Sequence, residues 1–144
     1  MIYCDGSTHI GYRENPISYK DKKLYFRGGK NSIGVFKYLD QKYDFYNKDT
    51  IVITGISAGG LGVYEWMNYL HDNTKTSKVL AIPDSGIFLT EYVSPTLGYS
   101  IIEKRTNNLF SLVGVDPQGV PEPIQKCLLK GSSIPYCSNP GHYA

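Results

Sequence analysis

The sequence predicts an α/β fold built on a parallel sheet. Two short β-branched runs, at residues 51–54 and 78–82, flank a helix-compatible segment at about 60–71, and a second helical pattern begins just upstream, near Ser32. An order of helix, strand, helix, strand implies parallel strands joined by right-handed crossovers. With 144 residues, 41% hydrophobic and 19% charged, the chain is long enough for one cored domain and too apolar to be disordered.

The elements follow in order. Residues 1–30 are polar and Gly-rich, with one strand-like run at Leu24-Tyr25-Phe26; the charged cluster Lys20-Asp21-Lys22-Lys23 reads as a solvated loop. The Ser32 hydroxyl suits an N-cap, and Ile33, Phe36, Leu39 and Tyr43 then recur at helical spacing on one face. A polar turn at Asn47-Lys48-Asp49 leads into the run at 51–54, whose consecutive Ile and Val residues fit a strand buried on both faces. Next come the helix at 60–71 and the strand at 78–82, which stops at Pro83. Beyond it, Gly86-Ile87-Phe88-Leu89 is a short apolar run, and residues 100–113 suit a helix or a packed loop. The tail at 115–144 holds five of the eight prolines and reads as loop, with a helical turn or two near Ile124 to Leu129. The core therefore lies within 32–90, in a single domain spanning 1–144.

Between the first strand and the following helix stands Gly55-Ile56-Ser57-Ala58-Gly59-Gly60. A strand, a Gly-x-Ser-x-Gly turn and a helix make the nucleophile elbow of α/β-hydrolases: glycines flank the serine because the sharp turn has no room for Cβ atoms. The pattern names acyl transfer as the chemistry, Ser57 as the nucleophile and the Ala58 N–H as an oxyanion donor. A phosphate-binding turn is the alternative for a Gly-rich helix start, but the run has no Lys-Ser/Thr and does not spell Gly-x-Gly-x-x-Gly.

A serine needs a base and an orienting carboxylate. His9 lies in a Gly/Ser/Thr loop ahead of the sheet, His71 ends the helix after the elbow, where a cation complements the helix dipole, and His142 is two residues from the end. Only His142 follows the order Ser, Asp, His, and it sits in a segment expected to fray. About ten helical residues at 1.5 Å each carry His71 roughly 15 Å from the serine. No histidine is therefore expected within about 2.6–3.2 Å of the Ser57 hydroxyl. Asp84 closes a strand at the C-terminal end of the sheet, where it either orients a base or anchors its loop. Asp72 and Asp116 read as helix-end and turn residues.

Composition excludes several classes. Fifteen basic and thirteen acidic residues give a net charge of +2, too balanced for a nucleic-acid partner. No apolar run approaches the roughly 20 residues of a membrane span. The N-terminus lacks the basic and apolar regions of a signal peptide, and no Asn carries a glycosylation pattern. Cys4, Cys127 and Cys137 lack metal-ligand spacing; Cys127 and Cys137 enclose a loop that allows a small disulfide or leaves two exposed thiols. Thirteen tyrosines are many for this length, and serve as core and surface filler or line an aromatic substrate groove.

Four motifs occur in sequence: Tyr3-Cys4-Asp5-Gly6-Ser7, Leu24-Tyr25-Phe26-Arg27-Gly28, Gly55-Ile56-Ser57-Ala58-Gly59-Gly60 and Pro83-Asp84-Ser85-Gly86-Ile87-Phe88-Leu89. Together they resemble the pectin acetylesterase family, which includes plant pectin acetylesterases and the Notum-type carboxylesterases of animals. The resemblance is strongest from Tyr3 to Leu89, and Cys127 and Cys137 resemble a cysteine-bearing segment of the plant members. It implies a secreted serine esterase of α/β-hydrolase-like fold that uses no cofactor or metal and acts on an acylated polysaccharide. It gives Ser57 the nucleophile role, Ala58 and Gly59 the oxyanion hole, and Asp84 and Ser85 the lining of the site. The family's Gly-Gly-Gly-Trp-Cys-like oxyanion loop precedes its Tyr-Cys motif, and its triad Asp and His follow on later strands. The sequence therefore resembles the middle of such an esterase. The expected activity is removal of acyl, chiefly acetyl, groups from a polymer such as pectin. The alternatives are a catalytically incompetent fragment or pseudo-enzyme, and a Notum-like deacylase of a lipidated protein.

Overall fold

The computed structural model describes residues 3–75, 78–87 and 93–113. The expectations for the tail, for Phe88 and Leu89, and for Asp116, Cys127, Cys137 and His142 fall outside these residues. An antiparallel hairpin comes first, β1 (Ile17–Tyr19) and β2 (Lys22–Leu24), with Ile17 opposite Leu24. The lysine cluster is thus solvated as expected, with Lys20 and Asp21 in the connecting turn, but Lys22 and Lys23 lie in β2 and not in a loop. Of the strand-like run at 24–26, only Leu24 joins a strand, because Lys20 in a left-handed turn (φ 54°) sets the pairing two residues earlier.

Helix α1 (Gly28–Tyr43) begins four residues before the position that Ser32 suggests. Its start is organised from a distance: the buried Ser7 hydroxyl accepts the Gly28 N–H at 3.2 Å, so the helix needs no cap of its own. Ser32 lies inside the helix, fully buried, donating to Gly28 O at 2.9 Å. The Gly28-Gly29 pair, unfavourable for a helix by propensity, is required by packing. A Cβ on Gly29 would lie 2.2 Å from the Tyr12 ring, and one on Gly28 would lie 2.3 Å from Ser7 Oγ. Tyr43, expected on the apolar face, is 53% exposed and lies under the Lys42 ammonium.

After a short 3-10 turn (Phe45–Asn47) come β3 (Thr50–Ile56), α2 (Ala58–Asn73) and β4 (Lys78–Asp84). Strands β3 and β4 pair in parallel, Ile51 opposite Val79 and Ile56 opposite Asp84, and α2 packs across both. Ile51, Val63, Trp66 and Leu70 are buried in the core. An aromatic clasp joins the two helices, with Phe36 5.7 Å from Trp66 and 5.8 Å from Tyr69. The expectation that β3 is buried on both faces fails among the described residues. Val52 and Ile56, with Leu80 and Ile82 beside them, point away from α2 and are exposed. The segment at 100–113 is a helix, α3 (Ile101–Val113), capped by the Ser100 hydroxyl accepting the Glu103 N–H at 3.1 Å. Arg13 holds its end through the Leu112 carbonyl.

Candidate active site

Ser57 stands at the junction of β3 and α2 with φ 55° and ψ −113°, a conformation that a side chain adopts only under constraint. The constraint is visible in the neighbouring backbone. Its N–H donates to the Asp84 carbonyl at 2.9 Å, and its carbonyl accepts the Leu61 N–H at 3.0 Å, opening α2. Gly55 has no space for a side chain: a Cβ there would lie 2.4 Å from Gly59 O. Gly60 and Gly86 meet backbone to backbone, and a Cβ on Gly60 would lie 2.6 Å from Asp84 O. The elbow is therefore pressed against the end of β4, and the glycines at 55, 60 and 86 make that approach possible.

The Ser57 side chain is exposed, and among the described residues its hydroxyl has no hydrogen-bond partner. Ala58 and Gly59 begin α2, so their N–H groups have no carbonyl within the helix and point toward the serine end. Donors at a helix N-terminus beside an exposed serine suit a site where negative charge develops. Asp84 is exposed, and its carboxylate accepts the Ser85 hydroxyl at 2.9 Å. It is the Asp84 backbone carbonyl, not the carboxylate, that grips the elbow. Ser85, like Ser57, is left-handed (φ 51°).

A groove of about 790 Å³ runs from Ser57, Ala58 and Gly59 along β3, walled by α1 and α2. His9 lines it too. This residue is left-handed (φ 64°) and half-buried; burial lowers its pKa below the ordinary 6.5, with Asp5 partly offsetting the fall, so it is neutral at pH 7. Its carbonyl accepts the Trp66 indole N–H at 3.0 Å and the Ser32 hydroxyl at 3.3 Å. Sequence order set His9 aside, whereas the fold brings its loop onto the elbow helix. The one local signal was the polar run Asp5-Gly6-Ser7-Thr8-His9, in which Asp5 accepts both the Ser7 N–H and the Ser7 hydroxyl. His71 is exposed at the end of α2, beside Asp72 at 3.1 Å. Because α2 starts at Ala58, His71 lies about 20 Å along the helix from the serine, farther than the shorter predicted helix implied.

A parallel β-α-β unit with a strained serine between its first strand and helix defines an α/β-hydrolase class of fold. The Wnt deacylase Notum from Drosophila shares it: its structure superposes with a TM-score of 0.77 at 22% identity, covering 97% of this chain and 40% of that one. The chain thus spans about two fifths of the length of that structure. No curated protein matches the sequence. Residues 1–127 match the pectinacetylesterase family, and the chain belongs to it.

Proposed function

We propose that this chain carries the nucleophile of a serine carboxylesterase that removes acetyl groups from an extracellular polysaccharide such as pectin. The observation that supports it most is the strained, exposed Ser57 at a strand-to-helix turn in a pectinacetylesterase family member. In this reading Ser57 Oγ attacks the ester carbonyl and passes its proton to a base. The carbonyl oxygen takes up negative charge and is met by the Ala58 and Gly59 N–H groups. The C–O bond to the sugar breaks, the sugar oxygen leaves with a proton, and water then releases acetate from the acyl-serine. Asp84 and Ser85 line the site and hold the elbow in place. No cofactor or metal enters these steps. Secretion follows from the substrate, an extracellular polymer.

Ser57→Ala should lower p-nitrophenyl acetate hydrolysis by about 10³-fold or more while leaving the far-UV spectrum unchanged. Retained hydrolysis would end the serine reading. A second reading, that the 144-residue chain alone is no catalyst, is favoured by one observation: among the described residues no base is hydrogen-bonded to Ser57. A fluorophosphonate probe separates the two. Slow or absent labelling supports the second, and rapid labelling lost in Ser57→Ala excludes it.

A further inference from the structure

Val52 and Ile56 on β3, with Lys78, Leu80, Ile82 and Asp84 on β4, are exposed on one face of the sheet, the face away from α2. The parallel register sets Val52 beside Leu80, Thr54 beside Ile82 and Ile56 beside Asp84. Ile56, at 70% exposed, is the most open of these apolar side chains. The Thr54 hydroxyl, in the middle of the face, donates to the Ile82 carbonyl at 3.1 Å. It can therefore be covered without leaving a donor unpaired.

Within the two strands, charge is confined to the ends of β4. Lys78 opens that strand and Asp84 closes it, about 20 Å away. Among the described residues neither has an ion-pair partner, and the Ser85 hydroxyl occupies only one of the Asp84 carboxylate oxygens. A cation, two apolar side chains and an anion, in that order, form a pattern that is its own complement when reversed. A second copy laid on this face, turned about a two-fold axis that crosses β4 at Ala81, sets its Asp84 over Lys78 and its Ile82 over Leu80, and the reverse. Packed sheets stand about 10 Å apart, a gap that an extended lysine and an aspartate span together. With the strands parallel instead, each Asp84 carboxylate would be buried on Ile56 of the other copy and lose its water.

We propose that this face is the interface of a two-fold homodimer, in which β4 of one copy lies antiparallel across β4 of the other and Lys78 pairs with Asp84 at both ends. It stands apart from the esterase reading and does not depend on it. Two seven-residue strands offer a face of about 23 Å by 10 Å. That is well below the roughly 800 Å² each partner gives to a standard interface, so the association is weak.

The test is sedimentation equilibrium of the whole 144-residue chain from about 20 µM to about 1 mM, across which the parent should move from monomer toward dimer. Lys78→Glu and Asp84→Lys each place like charges together at both ends and should weaken association about tenfold or more. Mixed in equal amounts they should regain the parent's dimer, since one face is then negative at both ends and the other positive. That recovery also shows that both variants are folded. A parent that stays monomeric at about 1 mM, single variants that associate as the parent does, or a mixture that stays monomeric each overturns the dimer. Mass that grows past the dimer overturns its closed two-fold symmetry. Val52→Lys separates face from edge, because Val52 lies on β3, away from the outer edge of β4. Loss of the dimer in Val52→Lys is expected, and a dimer that survives it is joined through the β4 edges and overturns the face.

Discussion

Glu65 is buried in the middle of the elbow helix, 2% exposed, and among the described residues neither of its carboxyl oxygens has a partner. Burial alone pushes its pKa up to about 8 from the ordinary 4.5. A carboxyl raised in this way is held as the neutral acid at pH 7. The unfolded chain releases its proton near pH 4.5, and the folded chain only near 8, so stability is full below 4.5 and falls as pH rises through that window. The loss amounts to at most about 5 kcal/mol by the end of it. Replacing the carboxyl by a thioether of similar length, in Glu65→Met, should flatten this dependence and raise the denaturation midpoint at pH 8 above that of the parent. Urea melts at pH 5 and pH 8 check it; an unchanged difference between the two would remove the assignment. At this scale the sequence was legible where chemistry and backbone coincide. Gly55 and Gly60 mark the elbow around Ser57 because a Cβ at either would strike backbone, whereas a Cβ on Gly59, expected to be equally confined, would meet nothing within 4 Å. His9 and Ser7 were not legible, since their roles depend on contacts with residues 21 to 57 positions away.

At the scale of elements, hydrophobic period placed α1, α2, β3 and β4, and the parallel pairing followed from their order. The hairpin of β1 and β2 was missed because its short strands are exposed and carry no alternation. The start of α1 was missed because its cap lies in another loop. The sheet itself shows the clearest gap between composition and environment: β3 reads as a fully buried strand, yet Val52 is 54% and Ile82 55% exposed on the face away from α2. Such an uncharged face, beside strand edges that have no neighbour among the described residues, favours association. The double substitution Val52→Lys and Ile82→Lys should shift the chain toward monomer, measured by sedimentation at rising concentration. Identical sedimentation of parent and variant would show that this face takes no part in self-association.

Across the whole molecule, the loop at residues 3–13 joins parts that share no strand. The Ser7 hydroxyl accepts N–H groups of Gly11 and Gly28, Arg13 reaches α3, and His9 receives Trp66 from α2. Removing one buried hydroxyl therefore leaves two donors unpaired, the Gly11 N–H in the loop and the Gly28 N–H at the start of α1. Ser7→Ala should destabilise the fold by about 1–3 kcal/mol, seen as a lowered midpoint in a urea melt. A loss of under about 0.5 kcal/mol would mean that water replaces the hydroxyl without penalty.

The indole of Trp66 is 4% exposed, and its N–H is bonded to the loop rather than to its own helix. It is also the only tryptophan in the chain. Excitation near 295 nm therefore selects a single fluorophore sited where the loop meets the elbow helix. If the loop lifts while the helices stay folded, that indole meets water and its emission moves to longer wavelength before circular dichroism changes. The protein thus carries its own optical gauge of whether the wall beside the serine is seated, readable in solution without a label.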